Sequence, residues 1–201
     1  MGVNIKDIDP YVSNVEEELK NIRSSFSDHV KMAGKDSYRP RIVFFDFFGN
    51  KTFGVVSRPY VDQTDYITCI AEMMYSYSAL DASSCVLVLD SYLIKNGQNI
   101  GSCLHCYFVG DRTANVVTLP YIYNESGDVM WDESKDTSES IDLKDHDGIT
   151  QQMVELLYAF SHIDTPPFKM NELLSYYSSL NYHFRSFKDL GISYIDYSQT
   201  K

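Results

Sequence analysis

Basic side chains are scarce in this sequence. Seventeen Lys and Arg stand against 28 Asp and Glu, a formal net charge of −11 over 201 residues. Affinity for nucleic acid rests on clustered Lys and Arg that release counterions from phosphate, so this deficit argues against a nucleic-acid partner. Long apolar runs are missing too. Nothing approaches the ~18 uninterrupted apolar residues of a membrane span, and MGVNIKDIDP lacks the apolar centre of a secretory signal. No membrane association is expected, and the chain reads as cytoplasmic. Cysteine is limited to four residues, which read as free thiols in such a compartment. The vocabulary of common catalysts is also absent. There is no G-x-S-x-G, no P-loop, no Gly-x-Gly and no HExxH, and five histidines are scattered. No cofactor is expected on these grounds.

What is present is unevenly placed. Between Asp128 and Asp147 lie eight acidic residues and two lysines, so more than half of the acidic excess falls in one short tract. That tract reads as a solvated surface loop. Asp145 and Asp147 before Gly148 resemble part of a calcium loop. Leu143 and Val154 stand where further ligands are required, so a loop whose last Asp caps a helix explains the same letters.

Apolar spacing supplies the elements. Asp9-Pro10 is a helix-start signal, and Val12, Val15, Leu19, Ile22, Phe26 and Val30 then recur at helical spacing up to Gly34. RIVFFDFF and TFGVVS around Gly49-Asn50 predict a β-hairpin. A helix is expected from Asp62 to about Leu80 on its Ile67, Ile70, Ala71, Met74 and Tyr77 face. CVLVLDSYLI predicts a strand covered on both sides, Asn96-Gly97 a tight turn, and residues 102–109, 114–123 and 129–131 further strands. Two more helices are expected, over 149–160 and 171–187. The expected class is α+β, a mixed or mainly antiparallel sheet of about five to six strands flanked by four helices. The expected division is an N-terminal amphipathic helix over 1–34 and a single α+β domain over 40–201. Within it fall a core sheet at 41–131, an acidic loop at 132–148 and C-terminal helices at 149–190.

RPRIVFFDFFGN followed by DYITCIAEMMYSYSALDASSCVLVLDSYLIKNG resembles a group of uncharacterised bacterial and phage α+β proteins. Their shared pattern is a strand, a helix and a strand ending in Asp-x-aromatic, here Asp90-Ser91-Tyr92. The likeness spans about residues 40–125. It implies a fold pattern and no chemistry.

Two carboxylates invite a chemical reading. Asp46 and Asp90 each sit within an apolar strand, where an unpartnered charge is costly. Were their strands adjacent, both could converge on Mg²⁺ or Mn²⁺, as in a ribonuclease H-like phosphodiesterase or nuclease. DFFGNKTFGVV and VLVLDSY carry that likeness, and the strands expected after Asp90 depart from it. The plainer reading gives Asp46 a salt bridge with Arg41 or Arg58, and gives Asp90 backbone amides at a strand end. Basic and aromatic residues mix at Lys31, Lys35, Arg39 and Arg41 and again at Tyr182, His183, Phe184, Arg185 and Lys188. The aromatics there fit buried helix faces better than base stacking.

Cys103-Leu104-His105-Cys106 has knuckle-like spacing, but a structural zinc site needs a second pair. In a strand, residues three apart face opposite ways, so the thiols diverge and His105 shares the Cys103 face. The function expected from these features is that of a small intracellular accessory protein acting by protein–protein contact without catalysis. Its interaction surface is expected at Val12, Val15, Leu19, Ile22 and Phe26, toward a partner or a second copy. The alternative is the metal-dependent phosphodiesterase using Asp46 and Asp90.

Overall fold

The computed structural model describes residues 14–46, 48–62, 69, 73, 84–109, 114–140 and 193–196. One helix, α1 (Val15–Ala33), precedes the strands β1 (Arg41–Phe45), β2 (Lys51–Val56), β3 (Ser84–Lys95), β4 (Gln98–Val109), β5 (Ala114–Tyr123), β6 (Val129–Trp131), β7 (Thr137–Ser140) and β8 (Ser193–Asp196).

Helix α1 begins where its amides find partners. The Asn14 side chain accepts from the Glu17 amide at 3.0 Å and donates to the Glu17 carboxylate at 3.1 Å. Glu16, Glu17 and Glu18 lie at the positive end of the helix dipole and Lys31 at the negative end. Gly34, at φ 94°, closes the helix by donating to the Val30 carbonyl at 2.9 Å. The start thus falls at Asn14, downstream of the expected Asp9-Pro10, which lies outside the described residues.

All strand pairings are antiparallel, in the order β6-β5-β4-β3-β1-β2-β8, and β7 also pairs with β5. The β3–β4 hairpin turns at Asn96-Gly97, where both residues have positive φ (52° and 75°). That is the turn geometry whose twist matches paired strands, and Asn-Gly adopts it with little strain. Pro120 has no amide to donate. It sits in the gap on the outer edge of β5 between β7, paired at Asn115–Thr118, and β6, paired at Tyr121–Tyr123.

The core lies between α1 and one sheet face. Val15, Leu19, Ile22, Phe26 and Val30 pack in one cluster with Val43 and Phe45 of β1, Val86 and Val88 of β3, Leu104, Cys106 and Phe108 of β4, and Val117, Leu119 and Tyr121 of β5. Phe26 is fully buried, its ring centroid 4.7 Å from Tyr38, 4.9 Å from Tyr121 and 5.7 Å from Trp131. Two ion pairs flank the apolar seam, Glu18 with Lys51 and Arg23 with Asp136. The opposite sheet face is also buried at Ile42, Phe44, Leu87, Leu89, Tyr107 and Val109, together with the helical residues Cys69 and Met73.

The expected five or six strands with four flanking helices are therefore corrected. The architecture is an eight-stranded, half-barrel antiparallel sheet with one continuous helix among the described residues. The crossover considered between the first hairpin and β3 is present: β2 and β3 are both antiparallel to the β1 between them, so they run parallel to each other and the chain passes from one side of β1 to the other. Part of the expected acidic loop is strand β7. Its TSES sequence carries no apolar signal, and it is recruited by backbone pairing to β5 beside the Arg23–Asp136 ion pair. SYID, beyond the last expected helix, forms β8 against β2. The expected helix over 62–80 is described only at Cys69 and Met73, and those over 149–160 and 171–187 lie outside the described residues.

Phe26→Ala is expected to lower the unfolding free energy by about 3–5 kcal/mol, since a fully buried ring leaves a cavity. Met32→Ala, on the exposed side of α1, should stay within about 0.5 kcal/mol of wild type. Urea denaturation of both variants checks the contrast.

Candidate functional site

The burial of β3 changes along its length. From Ser84 to Leu89 every residue is buried, and from Asp90 onward the strand opens. Asp90 stands at that boundary on the α1 face, opposite Leu104 of β4 and two strand pairs before Tyr92–Ser102. Beside it β5 brings Tyr121 and Tyr123 to the same face. The polar turn after α1 adds Lys35, Asp36 and Tyr38, and the chain after β2 adds Tyr60. Together they enclose a pocket of about 350 Å³ walled mainly by Asp90, Tyr38, Tyr60, Tyr92, Tyr121 and Tyr123.

Asp90 accepts a 2.7 Å hydrogen bond from the Tyr121 hydroxyl. Burial pushes its carboxyl above the usual range. The bonds from Tyr121 and the Ser91 amide pull the other way and offset burial only in part, and the Asp36 charge adds to the upward shift. The Tyr121 phenol is raised by burial first and then by its bond to Asp90. Tyr60, at the rim, is raised by burial and then by the Asp90 charge. Lys35 does not pair with Asp90. Its ammonium stands over the Tyr123 ring, 4.2 Å from the centroid. No ion pair to Asp90 is made among the described residues.

Asp46 has a different role. It closes the β1–β2 turn, its Oδ1 accepting from the Phe48 amide at 2.8 Å and the Asn50 amide at 2.9 Å. Slight desolvation raises its carboxyl, but the bonds from Asn50, Phe48 and Gly49 outweigh that and hold it below the usual range. These are turn bonds, in place of the salt bridge considered with Arg41 or Arg58.

Strand register separates the two carboxylates. Phe45 pairs with Ser84, so Asp46 lies beyond the start of β3, while Asp90 lies beyond the Arg41–Val88 pair at the other end of β1. At ~3.3 Å per residue the gap is about 20 Å, whereas two oxygens on one divalent ion lie within about 5 Å. The arrangement with Mg²⁺ or Mn²⁺ shared by Asp46 and Asp90 is therefore not assembled. No group of three His, Cys, Asp or Glu among the described residues is placed to hold a metal ion.

The apolar stripe considered as an interaction surface also lies elsewhere. Val15, Leu19, Ile22 and Phe26 are buried against the protein's own sheet, while Val12 lies outside the described residues. No helix among the described residues is long and apolar enough to cross a membrane.

Cys103 and Cys106 occupy opposite sheet faces, as strand alternation requires. Cys106 joins the α1-side cluster, and Cys103 contacts His105 Nε2 at 3.4 Å on the other side. Burial raises the Cys103 thiol to about 12 and lowers the His105 imidazole. Both groups are thus neutral near pH 7, the opposite of an activated thiolate.

The sequence sets Asp90 within an apolar strand but does not reveal the pocket. Its walls come from the turn after α1, the segment after β2, and β3, β4 and β5. The available signal was local: the alternation in Asp90-Ser91-Tyr92 and Tyr121-Ile122-Tyr123 sets polar-tipped rings on one face next to a carboxylate.

Two outcomes follow from this geometry. All four cysteines are thiols and fully buried, so dithionitrobenzoate should leave the native chain unmodified and titrate every thiol once urea unfolds it. The raised Asp90 carboxyl has a definite sign. The neutral acid stabilises the fold fully below the unfolded carboxyl range, and that contribution is lost as pH rises through the higher folded value. Asp90→Asn, always neutral, should match wild type in acid and gain on it toward neutral pH, read as urea midpoints.

Compared with known proteins, the chain matches no protein-family model, no curated protein and no solved structure.

Proposed function

We propose that this protein is a small accessory protein that works by contact with another polypeptide rather than by catalysis. The observation that carries the reading is the open end of the sheet. There Tyr92, Ile94, Ile100, Ile122 and Met130 are all half or more exposed. Ile122 and Met130 face each other across β5 and β6, and Ile94 and Ile100 flank the β3–β4 turn. Scattered apolar side chains are ordinary on a surface, but the Ile122–Met130 pair is exposed side by side, at the same end of the sheet as Ile94 and Ile100, and adjacent exposed apolar side chains suit a protein contact. Residues 91–102 carry one charge, Lys95, in a chain of net charge −11. Like-charge repulsion is therefore weak at this end, and it suits a partner with a matching apolar surface.

Protein partnership, or self-association through the same end, fits this reading better than nucleic-acid binding, because the acidic excess disfavours phosphate. A cytoplasmic setting, that of a host if the chain is phage-encoded, is consistent with four cysteine thiols. A metal-dependent phosphodiesterase draws no support from carboxylates about 20 Å apart along the ladder.

The test uses the full chain, Ile94→Lys/Ile122→Lys, and the control Val61→Lys, whose native side chain is also exposed. A partner captured from source-cell extract is purified and titrated against all three. Wild type and control should bind alike, and the double variant at least about tenfold more weakly. Equal binding by the double variant overturns the reading. So does Mg²⁺- or Mn²⁺-dependent cleavage of nucleic acid that Asp46→Asn or Asp90→Asn abolishes.

A further inference from the structure

We propose that the tyrosine pocket at the mouth of the sheet is a cage for an alkylammonium group, with Asp90 as its counter-ion. The proposal deepens the reading above by assigning the ligand chemistry of a site bordering the apolar end, which Tyr92 shares.

Three features point to a cation. The first is charge. Two carboxylates, Asp36 and Asp90, and one lysine line the cavity, so an anion would enter a net negative space. The second is the state of Asp90. Its bonds come from the Tyr121 hydroxyl and the Ser91 amide, with no cation pairing it among the described residues. A half-buried carboxylate bonded only to neutral donors is under-compensated, and an incoming ammonium supplies the missing charge. The third is the wall. Tyr60, Tyr92 and Tyr121 border the same space, and the electron-rich face of an aromatic ring attracts ammonium. The pocket already uses this attraction once, in the placement of Lys35 over Tyr123 at 4.2 Å from the centroid.

Other ligand classes fit less well. A divalent metal needs several converging oxygen or nitrogen ligands, and the described residues hold no such group. A purely apolar ligand would bury the Asp90 carboxylate and the tyrosine hydroxyls without partners. An alkylammonium matches both halves of the lining, because its methylene or methyl groups meet ring faces while its charge meets Asp90. The group can come from a free polyamine or from a lysine side chain on a partner protein, and both present the same chemistry to the cage.

The protein carries its own reporter. Trp131 is the single tryptophan, and its ring lies 5.5 Å from that of Tyr121. The full chain is titrated with tetramethylammonium, spermidine and Nα-acetyl-lysine amide, with sodium chloride at matched ionic strength as control. Trp131 fluorescence and tyrosine ring proton shifts are followed. The expected result is a saturable response to at least one ammonium probe and none to sodium. Affinity should fall about tenfold in both Asp90→Asn and Tyr92→Ala and remain unchanged in Met32→Ala, on the exposed side of α1. Tyr92 is 63% exposed, so its truncation leaves the core intact if Asp90→Asn perturbs folding. Tighter binding of spermidine than of the lysine amide identifies a free amine as the source, and the reverse order identifies a lysine side chain. No saturable response to any probe at millimolar concentration overturns the proposal, as does unchanged affinity in both variants. Partner binding that survives such a failure, yet is lost in Ile94→Lys/Ile122→Lys, leaves the contact reading standing and removes the cage alone.

Discussion

The fold depends on one seam, the apolar stripe of α1 laid across one face of an antiparallel sheet. A sheet of this kind leaves two faces to cover, and α1 covers one of them from Val15 to Val30. Phe26 fills the centre, touching the rings of Tyr38, Tyr121 and Trp131. These rings join the helix, the turn after it, β5 and β6 in one packing unit. The polar contacts along the seam reinforce its register. Trp131 Nε1 donates to the Ser27 hydroxyl at 3.0 Å, and Arg23 meets Asp136 just before β7. A buried ion pair adds little net stability, but losing one partner is costly because the other charge is left stranded. It therefore fixes where the weakly apolar β7 edge can sit.

The same seam explains where the pocket forms. Helix α1 ends at Ala33 and the chain turns away at Gly34, while β3 and β4 continue past the last β1 pair at Val88. Over that extension α1 no longer covers the sheet. Its α1 face is lined by Asp90, Tyr92, Ser102, Tyr121 and Tyr123 in place of Val, Leu and Phe. The site is thus a consequence of unequal lengths, long central strands against a helix that stops short.

Local features of this architecture could be read from the amino acids, and long-range ones could not. The inward stripe of α1, the β1–β2 hairpin, the Asn96-Gly97 turn and the divergence of Cys103 and Cys106 all follow from periodicity and turn chemistry, which act over a few residues. The strands β7 and β8 escaped because TSES and SYID are short, lie at sheet edges, and owe their conformation to backbone pairing with residues distant in sequence. The relation of Asp46 to Asp90 escaped for the same reason. Asp90 was correctly seen as a carboxylate in an apolar strand, whereas Asp46 falls just past the end of β1, in the turn, and their separation is set by the register of β1 on β3. The apolar stripe was legible as a stripe, while its occupant, the protein's own sheet, required the tertiary structure.

Asp90 bears most directly on what the molecule does, because its charge exceeds its structural duty. Accepting the Tyr121 hydroxyl proton needs only a carbonyl-type oxygen, and an asparagine at this position would supply one without desolvating a charge. The aspartate instead carries an ionisation that burial opposes, against neutral donors that offset the cost only in part. At Asp136 a comparable burial is met by Arg23 directly opposite, and at Asp46 several turn donors do the work on an open surface. Asp90 has neither remedy within the described residues. A carboxylate held at the floor of a ring-lined cavity, short of a positive partner, is the arrangement expected where that partner arrives from outside.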